Sequence, residues 1–308
     1  MQRPLQIKDA LHLDNKKSYG FVNCYVHEDS ELFIDYNLLK QNIVIHNFDR
    51  KTACKKIIDF FKTNLDIIRT DPDKVSENML IHEINDTHFG STTRGNNSRG
   101  KGPSKDELKD FFRKITENNL DKTVINEPMD LLIFTKGLGP DSFSDLITKI
   151  IAKELYEFSI KVFKQSNKLD EVKQKGEQEI EFWDNKNHKM STIIVPKLSI
   201  KNSNIILVPY RITTKRIKYN ANDFLNSVIN SVKRTNELAK KGRKKAMTKK
   251  EIVHYETKKY GTSERKTIVF NEVLKERHFL KSYHDKFNSS KFLMNNVHPL
   301  LNDNDIYK

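Results

Sequence analysis

The sequence predicts a mixed α/β (α+β) region over residues 1–210, followed by a basic, mostly helical segment over residues 211–308. Three observations lead there. Short apolar runs bounded by turn-forming residues recur up to about position 210. Stretches with apolar residues at three- and four-residue steps are interleaved with them and dominate beyond that point. Positive charge is concentrated where the strand signals stop: positions 197–250 hold fifteen Lys/Arg against two acids, Asp223 and Glu237, a balance of +13 out of a net +14. The remaining 40 basic and 39 acidic residues nearly cancel.

The elements follow in order. Residues 19–39, YGFVNCYVHEDSELFIDYNLL, suggest one or two strands around an EDSE turn. Residues 50–69 predict a helix, with Ile57, Ile58, Phe61, Leu65 and Ile68 on one face, Asp49 as N-cap and the DPD at 71–73 as its stop. Residues 85–106 carry four glycines and few apolar side chains, which predicts a long mobile loop; Arg94, Arg99 and Lys101 within it could touch phosphates. Ser104 and Glu107 form a capping-box pattern before the next helix. MDLLIF at 129–134 predicts a strand, and the segment after GLGPD predicts one strong helix striped by Leu146, Ile147, Ile150, Ile151, Leu155 and Phe158. Three short strands are expected at 180–183, 191–196 and 203–209. Beyond Tyr210, one helix carries Phe224, Leu225, Val228, Ile229 and Val232, a second is capped by Thr248 with Glu251, and a third covers 267–287.

The chain has 308 residues, of which 36% are hydrophobic and 31% charged. That length suits one large domain or two small ones. Eighteen Phe and ten Tyr supply a core, which argues against wholesale disorder. Two cysteines, Cys24 and Cys54, exclude a disulfide scaffold and a Cys-rich zinc module. No apolar run approaches the roughly 20 residues that span a bilayer, and the first twenty residues lack an apolar signal core. The expectation is a cytoplasmic protein without membrane association.

Concentrated positive charge calls for an anionic partner or for solvent. A polyanion gains affinity at such a surface through counterion release. DNA or RNA is therefore the expected partner, contacted by Arg211, Lys215, Arg216 and Lys218 and by Lys240, Lys241, Arg243, Lys244 and Lys245. The competing reading is a solvated, Lys-rich helix end and loop. An anionic membrane fits less well, because the run lacks Trp or Phe on an opposing apolar face.

Four constellations could carry chemistry. GLGPDSFSD at 137–145 places Asp141 and Asp145 one turn apart at a helix start, where they could bind Mg2+ or simply cap the helix. Pro140–Asp141 read with Asp184–Asn185–Lys186 resembles the PD and (D/E)xK pattern of restriction-endonuclease-class nucleases. That resemblance implies Asp141 and Asp184 as metal ligands, Asp145 in support and Lys186 orienting the attacking water. Glu179 and Glu181 on the preceding strand are rival second carboxylates. The family's two motifs are usually joined through adjacent strands, whereas a helix of some 25 residues is expected between them here. Arg277 and His284, seven apart, resemble the arginine–histidine motif of HEPN ribonucleases, which implies metal-independent RNA cleavage. His82, Glu83 and His88 lack HExxH spacing, so no zinc site is expected there.

ELFIDYNLL (31–39), GLGPDSFSDL (137–146) and NIILVP (204–209) together resemble a group of poorly characterised bacterial proteins of antiphage and mobile-element loci. The resemblance implies a defence role, and a protein partner in a multi-subunit system is compatible with it. After ILVP, where that pattern has Lys, this sequence has Tyr210. The sequence thus leads to a nucleic-acid-binding protein acting as a Mg2+-dependent DNA nuclease in antiphage defence. The alternatives are a non-catalytic binding subunit or inhibitor and a HEPN-like RNase.

Overall fold

A computed structural model describes residues 4–71, 84–90, 105–121, 127–239 and 247–289. After a short α1 (Ile7–Ala10), the 19–39 region yields only β1 (Phe33–Ile34), followed by α2 (Tyr36–Leu39). The rest of that region is irregular chain held by single bridges, Gln6 to Tyr25, Phe21 to Pro209 and Ser30 to Phe89.

Helix α3 (Arg50–Thr70) forms as its periodicity predicts. Asp49 caps it, accepting from the Thr52 amide at 3.0 Å; Ile57, Phe61, Leu65 and Ile68 of the expected face are buried, Ile58 is half-buried, and Phe60 is buried in addition. Phe60 packs edge-on against Trp183, with ring centroids 5.1 Å apart. Helix α4 (Lys105–Glu117) lies against α3 and contributes Phe112 to the same core.

The run 129–134 corrects the sequence reading. It is not a strand but a 3-10 turn, Pro128–Asp130, continued by α5 (Leu131–Phe134). Every residue of α5 is buried, and an apolar run this short has no period with which to tell a buried helix from a buried strand. The long helix expected next is two helices, α6 (Pro140–Ile150) and α7 (Ala152–Gln165), broken at Ile151. All six residues of the expected stripe are nonetheless buried. A one-turn α8 (Leu169–Val172) leads into the main sheet.

That sheet is antiparallel: β2 (Lys173–Asp184) pairs with β3 (Lys189–Ile200) in a hairpin register of Asp184 with Lys189 and Ile180 with Ile193, and β4 (Ser203–Asn204) adds to the end of β3. The strand expected over 203–209 therefore stops at Asn204. Residues 205–208 remain buried. The Ile205 amide still reaches β3, at the Leu198 carbonyl 3.1 Å away, but the next two bonds go elsewhere: Ile206 donates to the Asp86 carbonyl at 2.7 Å and Leu207 to the Ser159 hydroxyl at 2.7 Å. A buried backbone must be satisfied, and here a loop and a helix side chain do so in place of a ladder.

Beyond position 210 the chain does not leave the body it has built. β5 (Thr213–Thr214) pairs with β1 across the molecule. Helix α9 (Ala221–Phe224) runs through a π-helical turn, Leu225–Ile229, into α10 (Asn230–Ala239). Helix α11 (Lys249–Tyr260) carries the expected Thr248–Glu251 capping box. The third helix expected over 267–287 is also broken, into α12 (Arg265–Lys275) and α13 (His278–Asn288). Helix α12 packs on α5, and its Lys266 amine donates to the Thr135 carbonyl at 2.6 Å and to that of Leu138. No helix among the described residues is long and apolar enough to cross a membrane.

Candidate functional site

Segment 211–220 joins the basic region to the core. Ile217 and Tyr219 are buried, while Lys215, Arg216 and Lys218 are exposed. Lys215 and Arg216 lie in a bend closed by the Thr214 hydroxyl, which donates to the Arg216 carbonyl at 3.1 Å and accepts from its amide at 3.2 Å; beyond it Ile217 and Tyr219 turn inward and Lys218 outward. Lys215 and Arg216 make no ion pair among the described residues; Lys218 acts electrostatically on the buried Asp35 carboxyl. Arg211 is half-buried, its guanidinium 5.8 Å from the Tyr210 ring centroid.

Under this strip lies a buried acid–base cluster. The Tyr219 hydroxyl donates to the Asp130 carboxylate. His284 Nε2 is 3.0 Å from each Asp130 oxygen. Asp130 is fully buried and His284 nearly so. Burial raises the Asp130 carboxyl above its usual range, against the pull of His284 and Tyr219. For His284 burial alone would lower the imidazole, but the charge and hydrogen bond of Asp130 outweigh it and hold the group above its usual 6.5. Glu127 stands nearby, in an ion pair with Lys40 at 2.7 Å. Asp35 caps α2, accepting from the Asn37 amide at 2.8 Å, and burial pushes its carboxyl up to about 6 against the pull of that bond, Lys40 and Lys218. The site thus gathers α2, the 127–130 turn, the 215–219 strip and α13.

The remaining expected site residues are scattered. Asp141 sits in the first turn of α6, beside Gly90, and Asp145 one turn further along. The end of α6 that reaches β2 is Lys149, in an ion pair with Glu181, about 12 Å down the helix from Asp141 at 1.5 Å per residue. Asp184 closes the β2–β3 turn: its carboxylate accepts from the Lys186 amide at 2.9 Å and the Asn187 side chain at 2.7 Å, and these bonds hold it below the usual carboxylate range. Lys186 is exposed in that turn. Among the described residues no three His, Cys, Asp or Glu side chains are grouped to hold a metal ion, so Asp141, Asp145 and Asp184 do not form such a set. Glu181, one of the rival carboxylates, is engaged by Lys149.

Arg277 and His284 share the α13 region but not a site. The Arg277 guanidinium donates to the Asn118 and Asn119 carbonyls at 3.0 and 3.1 Å, at the end of α4, while His284 faces inward to Asp130. Arg94, Arg99, Lys101, His82, Glu83, the Ser104 cap and Lys240, Lys241, Arg243, Lys244 and Lys245 lie outside the described residues. Asp130, Glu127, Lys40 and Tyr219 went unread in the sequence. A signal was available for one of them: an acid inside the apolar run MDLLIF is buried at a cost unless it finds a partner.

A family model described as Domain of unknown function (DUF8370) matches residues 11–220, which is 210 of the 308. The match takes in Asp130, the 215–218 strip and Tyr219, and stops short of His284. No curated protein and no solved structure matches the chain.

Proposed function

Because the chain belongs to the family described as Domain of unknown function (DUF8370), a description that carries no activity, we propose its function from geometry and charge: it binds nucleic acid through the 211–218 strip and the basic run that follows. The observation that supports this most is the exposed set of Lys215, Arg216 and Lys218, fixed between the Thr214 turn and buried Ile217 and Tyr219. A solvated cation on a loose loop gains little from ordering. Cations fixed in place by the core lose less freedom on meeting a phosphate backbone, and release its counterions. The setting we propose is the bacterial defence role that the resemblance implies, with this chain acting as a non-catalytic binding subunit.

Replacing Lys215, Arg216 and Lys218 together with Gln is expected to weaken DNA and RNA binding for all sequences, read by fluorescence anisotropy across a salt series. The slope of log K against log salt should become shallower by about 2–3, at roughly 0.7–0.9 for each phosphate no longer neutralised. Unchanged affinity and slope would identify the strip as solvated surface. Incubating the same substrates with Mg2+, Mn2+ or EDTA separates the subunit from a nuclease: metal-dependent cleavage that Asp141→Asn abolishes would restore the metal-site reading.

A further inference from the structure

We propose that the outer face of α11 is a stacking platform that makes the bound nucleic acid single-stranded, an inference that rests on the nucleic-acid-binding reading above. Tyr255 is 57% exposed, the one aromatic side chain among the large apolar groups left in solvent among the described residues. Lys258, three residues on, neighbours Tyr255 on the helix surface, and His254 and Lys250 continue the exposed arc round from Lys258 at four-residue steps. Tyr255 therefore stands at one edge of an exposed arc of cationic and imidazole groups.

The acid on this face is already committed. Glu251 turns back to the Thr248 amide, 2.6 Å away, in the capping box. Lys259, next round the helix, is held by Glu272 at 3.1 Å. What remains toward solvent is a positive face with an aromatic ring on it. The opposite side of α11 is anchored: Ile252 and Glu256 are buried, and Glu256 pairs with Lys233 of α10. The ring is thus presented from a fixed helix, with no other aromatic ring stacked on it among the described residues.

These are the two components that single-strand binders combine: cations tracking the backbone and an aromatic face on which an unpaired base stacks. A duplex hides its base faces in its own stack and gains nothing from the ring.

The test uses the full chain and fluorescent single-stranded DNA and RNA oligonucleotides, some carrying 2-aminopurine, with a duplex of the same sequence alongside. Tyr255→Ala should weaken single-strand binding by about 5- to 100-fold and leave duplex affinity and the salt slope unchanged, since the substitution removes no charge. Tyr255→Trp should retain binding, and the 2-aminopurine quenching seen with the unaltered chain should disappear only in the Ala variant. Tyr255→Ala binding single strands within twofold of the unaltered chain would overturn the platform, while the Lys215/Arg216/Lys218 variant still tests the parent reading. Binding of no nucleic acid at all by the unaltered chain would overturn both. The DNA and RNA arms show which strand is preferred.

Discussion

At the residue scale the most consequential contact is His284 with Asp130. It ties the C-terminal helix to a turn more than 150 positions earlier, in a place water barely reaches. Removing one member of a buried pair leaves an uncompensated polar group, at a cost of about 3–5 kcal/mol. His284→Ala is expected to lose stability of that order in urea unfolding. The pair also predicts a pH dependence. The folded protein keeps the His284 proton to higher pH than the unfolded chain does, so this contribution is complete below about 6.5 and fades as pH rises through the raised folded value. The urea midpoint should therefore fall as pH rises above about 6.5, and His284→Gln should flatten that fall. An identical pH profile in the two proteins would show that Asp130 does not hold the proton on His284.

At the element scale the loop before α6 shows how local geometry limits substitution. Gly137 has φ of +77°, and a Cβ there would run into the Glu107 carboxylate. Gly139, the N-cap two residues on, has φ of −104° and open space around it. Gly137→Ala should destabilise by about 1–2 kcal/mol, since a left-handed backbone disfavours any Cβ. Gly139→Ser should be neutral or stabilise by a few tenths of a kcal/mol, because Ser can accept from the first helical amides where Gly cannot. Urea midpoints of the two variants check both; a loss at Gly139 would mean that the loop touches something further. The same reasoning explains Asp184. Its carboxylate shapes the β2–β3 turn, so Asp184→Ala should loosen hydrogen-exchange protection of residues 184–189 while leaving α6 unchanged.

At the scale of the whole molecule, the C-terminal helices hold together through buried charge as well as apolar packing. Lys233 of α10 reaches Glu256 of α11 and, at 2.9 Å, Glu272 of α12. Burial alone would raise the Glu272 carboxyl, but hydrogen bonds from Tyr260, Lys233 and Lys259 and the charge of Lys233 outweigh it and hold it below its usual value. Lys233→Met is expected to strand the buried Glu256, leaving Glu272 with Lys259 and Tyr260, cost about 3–5 kcal/mol, and open α10 to α12 to hydrogen exchange before α3. In the unaltered protein the Glu272 contribution is present above about pH 4.5 and lost as pH falls through its depressed folded value, so mild acid should loosen these helices. Exchange rates in α10–α12 of the Lys233→Met variant that match those of the unaltered chain would show that packing alone secures them.

The sequence by itself determined the helices with long, regular apolar periods: α3, the stripe shared by α6 and α7, and the Thr248 cap of α11. Those signals are local, since a repeated spacing or a side chain reaching its own backbone needs no partner elsewhere. It also located the positive charge along the chain. Only the tertiary structure decided the rest. MDLLIF became a helix because it is buried on every side, where period carries no information. Ile206 and Leu207 stayed out of the sheet because Asp86 and Ser159, distant in sequence, took their backbone amides. Asp130, His284 and Tyr219 met because side chains scores of positions apart are brought together by packing, and one chain's spacing does not encode that distance.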